Sequence, residues 1–496
     1  MPYAQVDQVR RWILPAFLAL FVGLGFFEDP APAIVDALIT ALLIATFLGD
    51  SGENLKRRLL LVVGGIAALA IALGLTWKLA GEASAPPPTE WIKFRYVLQW
   101  IALLTVASDM PDRLPQLPGI RPIAVLLLAF TVWQFLVIAD SFDPRQSARL
   151  FFREMGLYAL LSLQLAILWR QGIHLLRPAF GVALVLALWQ VASASALYLV
   201  SRNLPSESIT QLVADGVLLK NEGDATWRLV FPMGHHNRLG FAMLVNVFLF
   251  LFAAVQKPRA KWITAALFSA AAAAFVIAIL SMTRGAVGAI AGGLTVLLIA
   301  RLPLWVAPLV ASVAALMLAL SPAHRAHIAT IVDGKMWRDP ASTMGLRFNG
   351  WHGASLMIRD EPATGIGYST ETFSDAYKAR YQALTGDPEA KRHSHNIWLQ
   401  YASESGIPAI ACFLAFMGLR WWLLASALRA TRGDGGLWVI AAYEFALFVF
   451  SMFFVMTKRD QGILIYALYM TGTLYAAEKL QCCLRTRGES LGRNLS

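Results

Sequence analysis

Two of the eight histidines lie in one short polar run, Arg392-His393-Ser394-His395-Asn396-Ile397-Trp398-Leu399-Gln400-Tyr401-Ala402-Ser403-Glu404-Ser405-Gly406. Greasy sequence surrounds it. Ser394 or Asn396 can cap a helix that runs towards Glu404 and stops at Gly406-Ile407-Pro408. On that reading His395 sits in the first turn. The positive end of a helix disfavours imidazolium, so the ring stays neutral and able to accept a proton. In a soluble chain such a histidine is more often a solvated loop residue, so its setting decides.

Arginine supplies the second chemical signal. Arg284 sits in Ser281-Met282-Thr283-Arg284-Gly285, squeezed between two apolar runs. Arg238 sits in Gly234-His235-His236-Asn237-Arg238, where another apolar run begins. Ionisable groups at or inside a membrane are costly and usually have a partner or a function. Headgroup binding and snorkelling are the ordinary explanations for any one of them. The planar fork of arginine suits phosphate oxygens. No Gly-rich phosphate loop of the GxxxxGK[ST] kind is present, which argues against a nucleotide. No metal-ligand spacing such as CxxC or HExxH occurs, so neither metal nor cofactor is expected.

The elements that must carry these residues are membrane helices. The chain is 57% hydrophobic and only 15% charged over 496 residues. Apolar runs of about 20 residues recur along it, each long enough to span a bilayer. Backbone groups cannot stay unpaired in lipid, so the expected fold is an all-α polytopic bundle. The net charge of +11 has no basic soluble domain to carry it, which argues against nucleic acid. Three cysteines do not make a disulfide framework.

In order, the candidate spans are 12–28, 31–49, 59–80, 92–108, 122–139, 154–170, 178–200, 236–255, 262–281, 285–300, 303–320, 407–425, 437–456 and 461–478. Short ones can be re-entrant or merged, so the expected count is about 12, with 14 as the upper bound. The positive-inside bias places both termini in the cytoplasm. The expected domains are an N-terminal membrane bundle over 1–321 with a polar outer segment at 201–235, a large helical outer loop over 322–406, and a C-terminal membrane unit over 407–496. Within the loop, one helix is expected from Ser342 to about Arg359 and a second over about 371–384. This topology leaves a set of basic residues on the outer face: Arg145, Arg149, Arg153, Arg228, Arg238, Arg284, Arg347, Arg380, Arg392, Lys458 and Arg459. A set converging from several segments points to a strongly anionic ligand. At the outer surface of a bacterial-type membrane, a pyrophosphate implies a polyprenyl carrier.

Several blocks then resemble the O-antigen ligase and polymerase superfamily. They are Gly345-Leu346-Arg347 with Trp351, Pro362-Ala363-Thr364-Gly365-Ile366-Gly367, and His393-Ser394-His395-Asn396 with Gln400, Glu404 and Gly406. The Gly234-His235-His236-Asn237-Arg238 and Ser281-to-Gly285 blocks also look like that superfamily's, though many members have Pro where this chain has His. The resemblance implies a GT-C-like glycosyltransferase of the Gram-negative inner membrane with a periplasmic loop. Its donor would be an undecaprenyl-pyrophosphate-linked glycan and its acceptor lipid A-core. His395, or less readily His393, matches the essential histidine. Arg284 and Arg347 match arginines that engage the pyrophosphate, with Arg238, Arg459 and Arg149 as further contacts. Asn396, His236, Trp398, Gln400 and Glu404 would support the site.

The chemistry agrees. An acceptor hydroxyl must lose a proton as it attacks the anomeric carbon, and a neutral histidine can take it. Preorganised arginines stabilise the charge that develops on the leaving pyrophosphate. A single displacement inverts the anomeric centre. Competing readings are a polymerase or an O-linked protein oligosaccharyltransferase of the same superfamily, and a lipid or glycan transporter. A transporter would place its ionisable residues near the bilayer midplane, often in broken helices of paired repeats. Here they gather at one face beside a large loop.

Overall fold

A computed structural model describes residues 117–152, 176–201, 204–214, 218–220, 227–233, 235–256, 260–301, 343–387, 393–431, 433–454 and 461–493, with a few isolated positions besides. The expected spans 12–28, 31–49, 59–80, 92–108 and 303–320, and most of 154–170, lie outside the described residues. So do Arg153, Arg392, Lys458 and Arg459.

The described chain is helical apart from one short hairpin. The helices are α1 (Ile120–Leu136, running on as a 3-10 turn Val137–Asp140), α2 (Arg177–Ser201), α3 (Ser206–Ala214), α4 (His236–Gln256), α5 (Lys261–Leu280), α6 (Arg284–Arg301), α7 (Thr343–Asp360), α8 (Thr370–Ala376), α9 (Gln382–Thr385), α10 (Ile397–Thr431), α11 (Gly435–Ser451) and α12 (Gln461–Arg493). A π-turn, Tyr377–Tyr381, joins α8 to α9. The hairpin pairs β1 (Leu218–Lys220) with β2 (Trp227–Leu229), antiparallel, within the stretch expected only to be polar. Five helices, α1 with its 3-10 turn, α2, α4, α5 and α10, are long and apolar enough to cross a membrane, and α11 and residues 284–300 of α6 form shorter apolar helices. The chain is a helical membrane protein, and helices occupy every expected span that falls on described residues.

Helix α4 is the centre of the packing. It lies against α2, α5, α6 and α11, and most of its apolar length is buried inside the protein. Beyond its first turn it is apolar almost all round, Asn246 excepted, as suits an enclosed helix. Close approach is allowed by small residues on its neighbours. A Cβ added to Gly293 of α6 would stand 2.6 Å from the Ala442 carbonyl of α11, so only glycine fits there. Asn246 of α4 donates from Nδ2 to Gln190 Oε1 of α2 at 2.9 Å, and both residues are fully buried.

A second set packs α1, α11 and α12 against α10. Its polar core is Arg420 of α10, ion-paired with Glu444 of α11. Arg420 also donates from Nε to Thr473 Oγ1 at 2.9 Å and lies over the Tyr469 ring of α12, 4.0 Å from its centroid. Both charges are almost wholly shielded, at 3% and 5% exposure, so each needs the other. At one end of the bundle Tyr475 and Lys479 of α12 hold Asp434, the N-cap of α11, with the Lys479 Nζ to Asp434 Oδ2 distance 2.7 Å. Asp434 accepts from its own helix at Leu437 N, 3.0 Å away.

Removing one member of the Arg420–Glu444 pair leaves a buried charge. Arg420→Met should therefore destabilise the bundle by roughly 3–5 kcal/mol. The double variant Arg420→Met/Glu444→Leu should recover most of that loss, read by unfolding in mixed micelles.

Candidate active site

The site end of the bundle begins with a broken helix. The helical backbone of α10 is interrupted at Gly406, whose φ of 76° and ψ of 179° are open only to glycine. Pro408 opens the second limb, where a missing N–H does no harm. The expected stop at Gly406-Ile407-Pro408 is thus a sharp bend between two limbs. Carbonyls at the end of the first limb need partners. Ile366 N donates to Ser403 O, Gly367 N donates to Glu404 O (both 2.9 Å), and Trp133 Nε1 of α1 donates to Ser405 O at 2.8 Å. Ile407 N returns a bond of 2.8 Å to Pro362 O. The Pro362-to-Gly367 turn is therefore zipped along the break. Phe142 N donates to Ile366 O at 2.8 Å, and Tyr368 Oη donates to buried Glu154 at 2.8 Å, which ties in the segment after α1.

The first limb of α10 carries the histidine loop. Asn396 is its cap: Oδ1 accepts from Trp398 N at 2.9 Å and Leu399 N at 3.1 Å. His395 therefore lies one residue before the cap and not in the first turn. Its backbone is left-handed, with φ of 57°. Ser394 Oγ bridges across it to Asn396 O at 2.7 Å. His395 N donates to His393 Nδ1 at 3.2 Å, and the two rings meet edge-on at 4.1 Å. Gln400 Oε1 accepts from Ser394 N at 2.8 Å, and Gln400 Nε2 donates to Glu404. Both His393 and His395 are half-buried, while Gln400 and Glu404 are fully buried.

Helix α7 brings up Arg347 and packs on this loop. A Cβ on its Gly350 would stand 3.4 Å from the Ser394 carbonyl. A second core, formed by Ala354, Met357, Ile366, Phe373, Tyr377 and Tyr381, binds α7 to α8 and the π-turn. Burial pushes the Tyr377 hydroxyl up, and Thr385 and Asp387 hold it in hydrogen bonds of 2.6 and 3.0 Å.

Arg347 lies over two rings at the end of α11, 5.6 Å from the Phe453 centroid and 5.5 Å from that of Phe454. Arg284 opens α6 beside the same platform, since a Cβ on Gly285 would strike the Phe454 ring. Burial, and then the charge of Arg284, hold the Arg347 guanidinium below the ordinary arginine range. Met282, just before Arg284, is also left-handed, with φ of 52°. Thr283 Oγ1 donates to His236 O at 2.8 Å, which docks the start of α4 here, with Arg238 in its first turn. His236 stacks on His235 at 4.4 Å.

The structure thus joins Arg284, Arg347, the start of α4 and the histidine loop through α7 and the Phe453–Phe454 platform. Arg149 stands exposed on helical residues 144–152, which dock through Ser147 to Thr372 and through Phe151 to Tyr368. Trp398 packs inward between Phe413 and Phe448. Phe453 and Phe454 escaped sequence reasoning because they close an unbroken apolar run. Among the described residues no group of three His, Cys, Asp or Glu side chains could hold a metal.

These features define a helical membrane protein with a cationic and imidazole-bearing site at one end of its bundle. Residues 269–414 match the family model described as O-antigen ligase, a stretch that includes Arg284, Arg347 and the whole histidine loop. Over that stretch the chain is similar to the O-antigen ligase family. The chain has no significant match among curated proteins.

A Cβ on Gly406 would collide with the Ala363 carbonyl. Gly406→Ala should lower stability by at least about 1–3 kcal/mol through backbone strain alone. Limited proteolysis should show new cleavage between α7 and α8.

Proposed function

We propose that this chain is an O-antigen ligase of the Gram-negative inner membrane, with its site on the periplasmic face and both termini cytoplasmic. It transfers a glycan from undecaprenyl pyrophosphate to a sugar hydroxyl of lipid A-core, with inversion and without metal or other cofactor. The observation that carries this reading is geometric: Arg347 lies over the Phe454 ring that Gly285, next to Arg284, also approaches, and the helix bearing Arg347 packs against the histidine loop. Arginines presented from two helix ends suit phosphate oxygens, and a pyrophosphate offers enough of them for both. The superfamily's lipid-linked substrates meet that requirement.

In this mechanism the acceptor hydroxyl gives its proton to His395 as its oxygen attacks the anomeric carbon. The bond from that carbon to the pyrophosphate oxygen breaks, and the electron pair leaves with the lipid pyrophosphate. Arg284 and Arg347 stabilise the departing charge. Of the two histidines, His395 suits the base. His393 Nδ1 already accepts from His395 N, so neutral His393 carries its proton on Nε2 and presents a donor.

Purified protein should be given undecaprenyl-pyrophosphate-linked glycan with lipid A-core. Product on lipid A-core is the expected result. Lengthened donor would instead make the chain a polymerase, glycan on protein an oligosaccharyltransferase, and no transfer at all would overturn the reading. His395→Ala should lower kcat by about 10²–10⁴-fold, the usual worth of a general base. Arg284→Met and Arg347→Met should each weaken donor binding and turnover together.

A further inference from the structure

We propose that Gln400 and Glu404 are positioning residues that hold His395 in its left-handed conformation. This rests on the glycosyl-transfer reading for its consequence, although the clamp itself is a matter of geometry. A left-handed backbone is unfavourable for a residue with a Cβ, and histidine adopts it only where its surroundings impose it. The constraint is visible on both sides of His395. On its C-terminal side Asn396 is fixed as the helix cap. On its N-terminal side Ser394 N is held by Gln400 Oε1 at 2.8 Å. The Ser394 hydroxyl then bridges back to Asn396 O, closing a loop with His395 at its apex.

Gln400 can hold Ser394 only if its amide is oriented oxygen-first. Glu404, one turn further along, sets that orientation by accepting from Nε2. With its acceptor oxygen on Nε2, Glu404 favours the amide orientation that turns Oε1 towards Ser394. Both side chains are 0% exposed, so water cannot take over either bond. Glu404 is in turn locked in the chain: its carbonyl accepts from Gly367 N, and its neighbours' carbonyls accept from Ile366 and Trp133. The break at Gly406 thus anchors a relay that runs Glu404 to Gln400 to Ser394 and ends at the backbone on either side of His395. Burying a carboxylate where an apolar side chain would pack is unfavourable for stability alone, which fits a residue retained for geometry.

The test uses the full-length protein in nanodiscs, with undecaprenyl-pyrophosphate-linked glycan and lipid A-core. Gln400→Leu keeps the volume and removes both bonds. It should lower kcat about 100-fold, the scale of a 1 Å misplacement, and leave donor KM unchanged. Glu404→Leu should behave like Gln400→Leu. Glu404→Gln keeps an acceptor oxygen for Gln400 and should retain near wild-type turnover. A readout independent of activity is carbethoxylation by diethylpyrocarbonate, located by mass spectrometry. The rate at His395 should change in Gln400→Leu, while the rate at exposed His235 should not. Wild-type kcat and unchanged His395 reactivity in Gln400→Leu would overturn the proposal. So would a Glu404→Gln variant as impaired as Glu404→Leu. If the wild-type protein transfers no glycan yet His395 reactivity responds as stated, the clamp stands and the ligase reading fails.

Discussion

Three carbonyl groups at the break in α10 govern this architecture. A helix that ends inside a protein must find donors for its last carbonyls. Here the donors are Ile366, Gly367 and the indole of Trp133. Two of these belong to the loop that carries Arg347, and the third belongs to a membrane helix. One local requirement of the backbone therefore docks the loop onto the bundle. It also fixes where α7 lies, and hence how near Arg347 comes to Phe454 and Arg284.

The site built on this frame presents its arginines beside an aromatic platform. Arg347 is shielded from water by the rings of Phe453 and Phe454 and stands near Arg284. Aromatic faces attract a cation, which offsets part of the desolvation. The left-handed residue Met282 lies two positions before Arg284, and left-handed His395 lies immediately before the loop's cap. Two left-handed backbone positions and the half-buried Arg347 are thus gathered unevenly, at one end of the bundle. Such unevenness is typical of functional sites.

Much of this was legible in the sequence because it depends on local rules. The apolar runs foretold helices at every described span. Asn396 was a cap candidate from its residue type, and Gly406 with Pro408 marked the break. The helix expected from Ser342 to about Arg359 is α7, Thr343–Asp360. What stayed hidden depends on contacts between distant segments. His395 lies outside the helix because Asn396, and not Ser394, is the cap, while Ser394 N turns instead to Gln400. The hairpin of β1 and β2 has no alternating pattern long enough to announce it. Phe453 and Phe454 read as membrane residues until Arg347 is placed over them. That Arg284 and Arg347 share a platform is a fact about helix ends brought together, which spacing along the chain does not encode.

The enclosed position of α4 has a consequence for biogenesis. A helix buried on all sides must be inserted before some of its neighbours exist. Helix α4 is synthesised ahead of α5, α6 and α11, and α11 follows it by well over a hundred residues. During that interval its polar Asn246 faces lipid unless another partner is at hand. Helix α2 precedes α4 and carries Gln190, the amide that Asn246 meets in the finished protein. The pair can form as soon as α4 enters the bilayer, joining the two helices while the rest of the wall is still being made. Interhelical amide bonds of this kind act as glue in lipid. The order of synthesis thus matches the order in which α4 needs its contacts: first the polar one, then the apolar enclosure.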